Sequence, residues 1–197
     1  FFLESDASHV IAIEPVNRLA KKLIQLNSKK ITVINSACSS SPGTQKLYLS
    51  SMHDQGHTLK KDYTEKYHWI FRNNSKTQSY EMVNVDTLDN LLREFDKIDY
   101  LKIDAEGSEI DILSGSTRLL DNLSNKPRIV QMEIIFKDEF NSILSIMRNY
   151  YSKIHRVFID KVTYRLISID ALASDPYQLE IHEKDSLVSS PTFIFFN

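Results

Sequence analysis

The sequence predicts an α/β fold, one domain over residues 1–197, with a sheet built from β-α-β units and helices on both faces. Three observations predict it. His9-Val10-Ile11-Ala12-Ile13, the amphipathic stretch Val16 to Leu26 and Ile31-Thr32-Val33-Ile34 read as strand, helix and strand, and such crossovers imply parallel pairing with right-handed connections. Tyr100 to Ile103 is a short apolar run that turns abruptly into Asp104-Ala105-Glu106-Gly107-Ser108-Glu109, then into apolar residues at helical spacing, Ile110, Leu113 and Leu120. Downstream, Arg128–Ile134 reads as a strand, and Phe140, Ile143, Leu144, Met147 and Tyr151 form a helical stripe.

The remaining elements follow in order. Phe1 to Ala7 has the look of a helix tail. Glu14-Pro15 closes the first strand, and Pro15 suits the first turn of the next helix. After the strand 31–34 come Asn35-Ser36-Ala37-Cys38 and a turn at Ser39-Ser40-Ser41-Pro42-Gly43. Gln45 to Leu49 alternates like a strand. Ser51 to Tyr80 lacks periodicity, and a long irregular segment in a small domain points to function, here a substrate-covering loop. Glu81 to Val85 is a strand; Asp86 can cap a helix carrying Leu88, Leu91, Leu92 and Phe95. The helix after Glu109 is expected to run to about Asn122. His155 to Ile159, Tyr164 to Ile169 and Thr192 to Phe196 are strands, the last apolar enough to be central.

Composition excludes several classes. The net charge of −2 gives no pull toward nucleic acid or anionic membrane. The basic and aromatic run Lys60 to Arg72 is broken by Asp62 and Glu65, which argues against base stacking. No apolar run is long enough to span a bilayer. Cys38 is the single cysteine, which forbids an internal disulfide and favours a reducing, cytoplasmic-type compartment. His53, Asp54 and His57 lack the further ligands of a metal site, so no metal is expected. Asn73-Asn74-Ser75 and Asn122-Leu123-Ser124 match the glycosylation sequon, a triplet common by chance. The sequence fixes no oligomeric state.

Carboxylates at strand ends are the candidate functional groups. In open α/β sheets, ligands sit beyond the carboxyl ends of the strands. Asp104, Glu106 and Glu133 would stand on that rim, and Glu14 ends another strand where a carboxylate can accept ribose hydroxyls. The plainer reading of each acid is helix capping. The string as a whole carries more. Lys102-Ile103-Asp104-Ala105-Glu106-Gly107-Ser108-Glu109, with Leu113 and Gly115, resembles the signature of the FkbM family of S-adenosylmethionine-dependent methyltransferases, and Ile13-Glu14-Pro15 and Val85-Asp86-Thr87-Leu88-Asp89 are similar to it as well.

The resemblance implies a Rossmann-like class I methyltransferase sheet whose last strand inserts antiparallel. It implies S-adenosylmethionine as cofactor, Glu14 on the ribose and Ser36 and Ala37 beside the adenine. It implies Asp104 as first candidate for the hydroxyl proton, Glu133 and Glu106 in substrate or capping roles, and a hydroxyl on a sugar or small natural product as acceptor. It also implies a first strand and glycine-rich loop that this sequence lacks: of its four glycines, Gly43, Gly56, Gly107 and Gly115, none lies between a first strand and a first helix. The chain opens on Phe1 rather than on methionine, so the natural N-terminus and any targeting segment are expected upstream. Absence of that middle strand would leave two neighbouring strands unpaired. Two other functions compete: a binding module that kept the sheet without the cofactor, and a nucleotide-dependent oxidoreductase, which Glu14 alone would suit.

Overall fold

In the computed structural model, residues 6–50, 56–66, 79–134, 136–160, 163–172, 176–177, 180–182, 187–189 and 191–197 are described. The first half of the chain forms β1 (Val10–Ile13), α1 (Asn17–Gln25), β2 (Ile31–Ile34), β3 (Ala37–Cys38), β4 (Gly43–Tyr48), α2 (Lys61–Lys66), β5 (Tyr80–Asp86) and α3 (Leu88–Leu91). The second half forms β6 (Tyr100–Ile103), α4 (Glu109–Ser114), α5 (Thr117–Asp121), β7 (Ile129–Glu133), α6 (Lys137–Arg148), β8 (Lys153–Asp160), β9 (Thr163–Ser168), the short pair β10 (Glu180–His182) and β11 (Leu187–Ser189), and β12 (Thr192–Phe196). The helix tail expected over 1–7 lies mostly outside the described residues.

The two β-α-β units give parallel pairs, β1 with β2 and β6 with β7. They belong to different sheets: the largest has the order β6-β7-β12-β8-β9, and β3-β5-β4 forms a third. Among the described residues, β1 has β2 as its one strand neighbour and β6 has β7. β12 runs antiparallel between β7 and β8; its apolar sequence predicts the central place, and Phe193 and Phe195 are fully buried.

Period-two alternation sorts the main sheet into two faces. Ile103, Val130, Met132, Phe193 and Phe195 face a core that also takes Leu88, Leu113 and Leu120 from the helices and Phe140, Ile143 and Met147 from α6. Tyr100, Lys102 and Ile129 lie on the opposite, more exposed face. A second, smaller core joins Val16 and Ala37 to Leu47, Val83 and Val85.

Three local readings are corrected. The helix expected from Glu109 to Asn122 breaks at Gly115-Ser116, where the Gly115 carbonyl accepts from the Asp89 N–H at 3.0 Å; a side chain on Gly115 would meet the Ser39 backbone oxygen at 2.3 Å, so glycine is needed there. The Asp89 carboxylate then caps α5, accepting from the backbone N–H groups of Arg118 and Leu119 at 2.9 and 2.8 Å. Thr87, not Asp86, caps α3: its hydroxyl accepts from the Asn90 N–H, while Asp86 ends β5 and holds the Thr87 N–H at 2.7 Å. Within the stretch read as aperiodic, Lys61–Lys66 is helical.

Candidate functional site

The turn after β6 brings the acids together. Glu106 and Gly107 both adopt left-handed backbone, φ 51° and 94°. Glycine is required at 107 twice over, since a Cβ there would sit 2.6 Å from the Phe136 ring. Glu106 has no such licence, and a left-handed non-glycine residue costs on the order of 1 kcal/mol. Two contacts offset it: the Thr58 hydroxyl donates to the Glu106 carbonyl at 2.6 Å, and the Tyr63 hydroxyl donates to Glu106 Oε2 at 2.5 Å. Tyr63 is buried and its ring meets Phe136 edge-on at 5.9 Å. Lys60 pairs with Asp111 on α4 at 2.6 Å. So Thr58, Lys60 and Tyr63, from the segment 51–80, reach the acidic turn and the helix after it.

Asp104 follows β6 directly. Lys102, on the exposed face of β6, donates to its Oδ2 at 2.6 Å. Glu133 ends the neighbouring strand β7. Its carboxyl is pushed up to about 8, first by burial and then by the charges of Asp104 and Glu106, with Lys102 pulling the other way. Burial also raises Glu106, against the pull of the Tyr63 hydrogen bond. Asp104, Glu106 and Glu133 therefore form one electrostatic group at the carboxyl ends of two adjacent parallel strands.

Glu109 completes the turn. It is fully buried, its Oε1 accepts from the Gly107 N–H at 3.1 Å, and its Oε2 is buried without a hydrogen-bond partner. Burial pushes its carboxyl up to about 7, and Glu139 on α6 adds to the push.

Glu14 ends β1, in a different sheet from the trio. Its Oε1 accepts from the Val16 N–H at 2.7 Å, so it caps α1, whose own cap residue Val16 offers no side-chain oxygen. The Asn35 side chain donates to the carbonyls of Glu14 and Pro15, tying the ends of β1 and β2 together. Ser36 and Ala37 are both buried. The Ser36 hydroxyl bonds the carbonyls of Ala37 and Asn84, and Ala37 packs in the smaller core. Of the sequence candidates, the structure joins Asp104, Glu106 and Glu133.

Sequence reasoning assigned no role to Thr58, Tyr63, Phe136 or Glu109. Tyr63 fell inside the segment singled out as a cover, and Glu109 inside the signature, so both carried a signal. Thr58 carried none. Cys38 is no nucleophile: burial, with Asp86 adding to it, pushes its thiol up to about 12. His57 Nδ1 accepts from the Ser50 N–H at 2.9 Å. His53, Asp54 and the sequon at 73–75 lie outside the described residues. Among the described residues, no group of three ligating side chains could hold a metal ion, and no helix is long and apolar enough to cross a membrane.

The model of the methyltransferase FkbM domain family matches residues 2–166. No curated protein and no solved structure matches the chain.

Proposed function

This chain belongs to the methyltransferase FkbM domain family, and from that premise we propose that it transfers a methyl group from S-adenosylmethionine to a hydroxyl oxygen of a small molecule or glycan. The observation that carries this reading is the mutual repulsion of Asp104, Glu106 and Glu133. Asp104 pushes up both Glu106 and Glu133, and Glu106 adds to the push on Glu133, with Lys102 as the opposing charge; a sulfonium cation is what such an acid-rich site would favour. The donor set thus fits the cofactor. Glu14 would accept from its ribose hydroxyls, and the backbone around Ser36 and Ala37 would border the adenine.

When bound, S-adenosylmethionine supplies the methyl group and a neutral thioether leaving group. The protein's work is to place the acceptor oxygen in line with the methyl carbon and to take the hydroxyl proton as the O–C bond forms and the S–C bond breaks. Asp104 is the base in this reading: it follows β6 directly, and Lys102 orients its carboxylate from the exposed side. Glu133, held protonated near neutral pH, would donate a hydrogen bond to the acceptor rather than compete for its proton. Thr58, Lys60 and Tyr63 would close over the turn and exclude water.

The test is calorimetric titration with S-adenosylhomocysteine and, in parallel, with NAD. Binding of the first alone is expected, and Asp104→Asn should keep it while abolishing methyl transfer to hydroxyl acceptors. Binding of NAD alone would replace this reading with the oxidoreductase one; binding of neither would leave a cofactor-free module.

A further inference from the structure

The turn that presents Asp104 and Glu106 contains two successive left-handed residues, Glu106 and Gly107, and such a turn needs something to hold it. The backbone supplies little: the Ser108 N–H reaches the Ala105 carbonyl at 3.3 Å. Ser108 occupies the cap position of α4 but makes no side-chain cap bond, and its hydroxyl is buried without a partner. The Gly107 N–H is taken instead by Glu109, two residues on, from the first turn of α4.

We propose that Glu109 is the positioning residue of this site: its buried carboxylate, through the Gly107 N–H, fixes the left-handed turn that sets where Asp104 and Glu106 stand. The proposal rests on the reading of this turn as the methyl-transfer site. Glu109 has no surface to work at, being fully buried; it acts on the site through the backbone it holds, and its charge adds to the push on Glu133.

The same arrangement makes the hold dependent on pH. A carboxylate accepts a stronger hydrogen bond than a neutral carboxyl. The groups around Glu109 keep it near the changeover. Glu139 faces it from α6, where its own Oε2 is buried without a partner. Glu133 lies across from it at the end of β7. Lys60 and Asp111 act on Glu139 with opposite signs. Burial, with Glu139 adding to it, raises the Glu109 carboxyl to about 7 against the pull of the backbone N–H groups of Glu109, Gly107 and Ala105, so near neutral pH the turn passes between a firmly and a loosely held state.

The sequence provides a clean reporter. Glu106-Gly107 is the single Glu-Gly step among its four glycines, so labelling glutamate at its carbonyl carbon and glycine at nitrogen isolates the Gly107 amide. In the wild type this resonance is expected to move with a midpoint near 7. In Glu109→Gln, which keeps an oxygen for the Gly107 N–H but cannot ionise, it should stay still. In Glu139→Gln the midpoint should fall, which tests the idea inside a chain that keeps Glu109. A Gly107 resonance that is flat in the wild type, or that titrates unchanged in Glu109→Gln, overturns the proposal. The second readout is S-adenosylhomocysteine affinity between pH 6 and 8.5. Several-fold tighter binding at the upper end is expected in the wild type and less than twofold change in Glu109→Gln. A Gly107 titration without any S-adenosylhomocysteine binding would preserve the coupling of Glu109 to the turn, but would refute the transfer site and, with it, the positioning role.

Discussion

Tyr63 and Glu106 meet across the acidic turn: the phenol donates to the carboxylate at 2.5 Å while the Glu106 backbone stands in the left-handed region. They are 43 residues apart in sequence, and nothing in the local spacing of either residue announces the pair. The contact does two things at once. It satisfies an acid that burial and Asp104 push toward protonation, and it fastens the segment around α2 to the turn after β6.

Tyr63→Phe should therefore cost stability and shift a proton. Losing a hydrogen bond to a charged acceptor is worth about 1.5–3 kcal/mol, read by chemical denaturation. Because that bond pulls the Glu106 carboxyl down, its loss should move Glu106 further up, read by carboxyl carbon resonances as a function of pH. A Glu106 titration identical to wild type would show that the pair does not form in solution.

Gly107→Ala and Gly115→Ala should both destabilise the fold, for different reasons. At 107 the new methyl meets the Phe136 ring and the backbone is left-handed; overpacking and left-handed strain together should cost roughly 2–4 kcal/mol. At 115 the obstacle is the Ser39 carbonyl oxygen, which belongs to the backbone and cannot rotate away. Phe136→Leu should rescue part of the Gly107→Ala loss, and no side-chain change should rescue Gly115→Ala. Rescue of both, or of neither, would contradict the stated contacts.

These details mark where sequence reading ends. Strands such as β7 and β12 are legible because Val130, Met132, Phe193 and Phe195 alternate with less buried neighbours, and burial of one face writes that period into the chain. The acids at 104, 106 and 133 are legible because a strand that runs into carboxylates has few structural explanations. The need for glycine at 115 is not legible, since it comes from a carbonyl 76 positions away. Nor is the state of Glu109. A glutamate at a helix start reads as an exposed cap, and α6, packed over it, makes it a buried acid. The capping reading of Glu14 and the ligand reading were both available in the sequence; its hydrogen bond to Val16 accounts for one carboxylate oxygen.

Stability should fall as pH rises across the neutral range. Glu109 and Glu133 have folded values near 7 and 8, above the unfolded value for glutamate of about 4.3. The folded chain then binds more protons than the unfolded one between those limits. The stabilisation is complete below about pH 4 and is lost as pH climbs through 7 and then 8. For Glu109 the part at stake is on the order of 3 kcal/mol. Thermal unfolding at pH 5.5 and pH 8.5 checks this: the wild type should melt lower at pH 8.5, and Glu109→Gln should show a smaller difference. A wild type that gains stability over this range would mean that neither carboxyl is raised.

The charge of the cofactor gives the most discriminating prediction for the site. S-adenosylmethionine carries a sulfonium cation and S-adenosylhomocysteine a neutral sulfur; otherwise they differ by one methyl group. A site built from Asp104, Glu106 and Glu133 should favour the cation, and more so once Glu133 ionises above about pH 8. The ratio of the two affinities should therefore rise from pH 6.5 to pH 9. In Glu133→Gln this rise should be lost, because the repulsion that holds Glu133 protonated is gone along with its charge. A loss of about tenfold in the ratio at pH 9, or about 1.4 kcal/mol, is expected for removing one nearby carboxylate. A ratio that ignores both pH and the substitution would place the sulfonium away from these carboxyls. Asp104 could then no longer be the group nearest the transferred methyl.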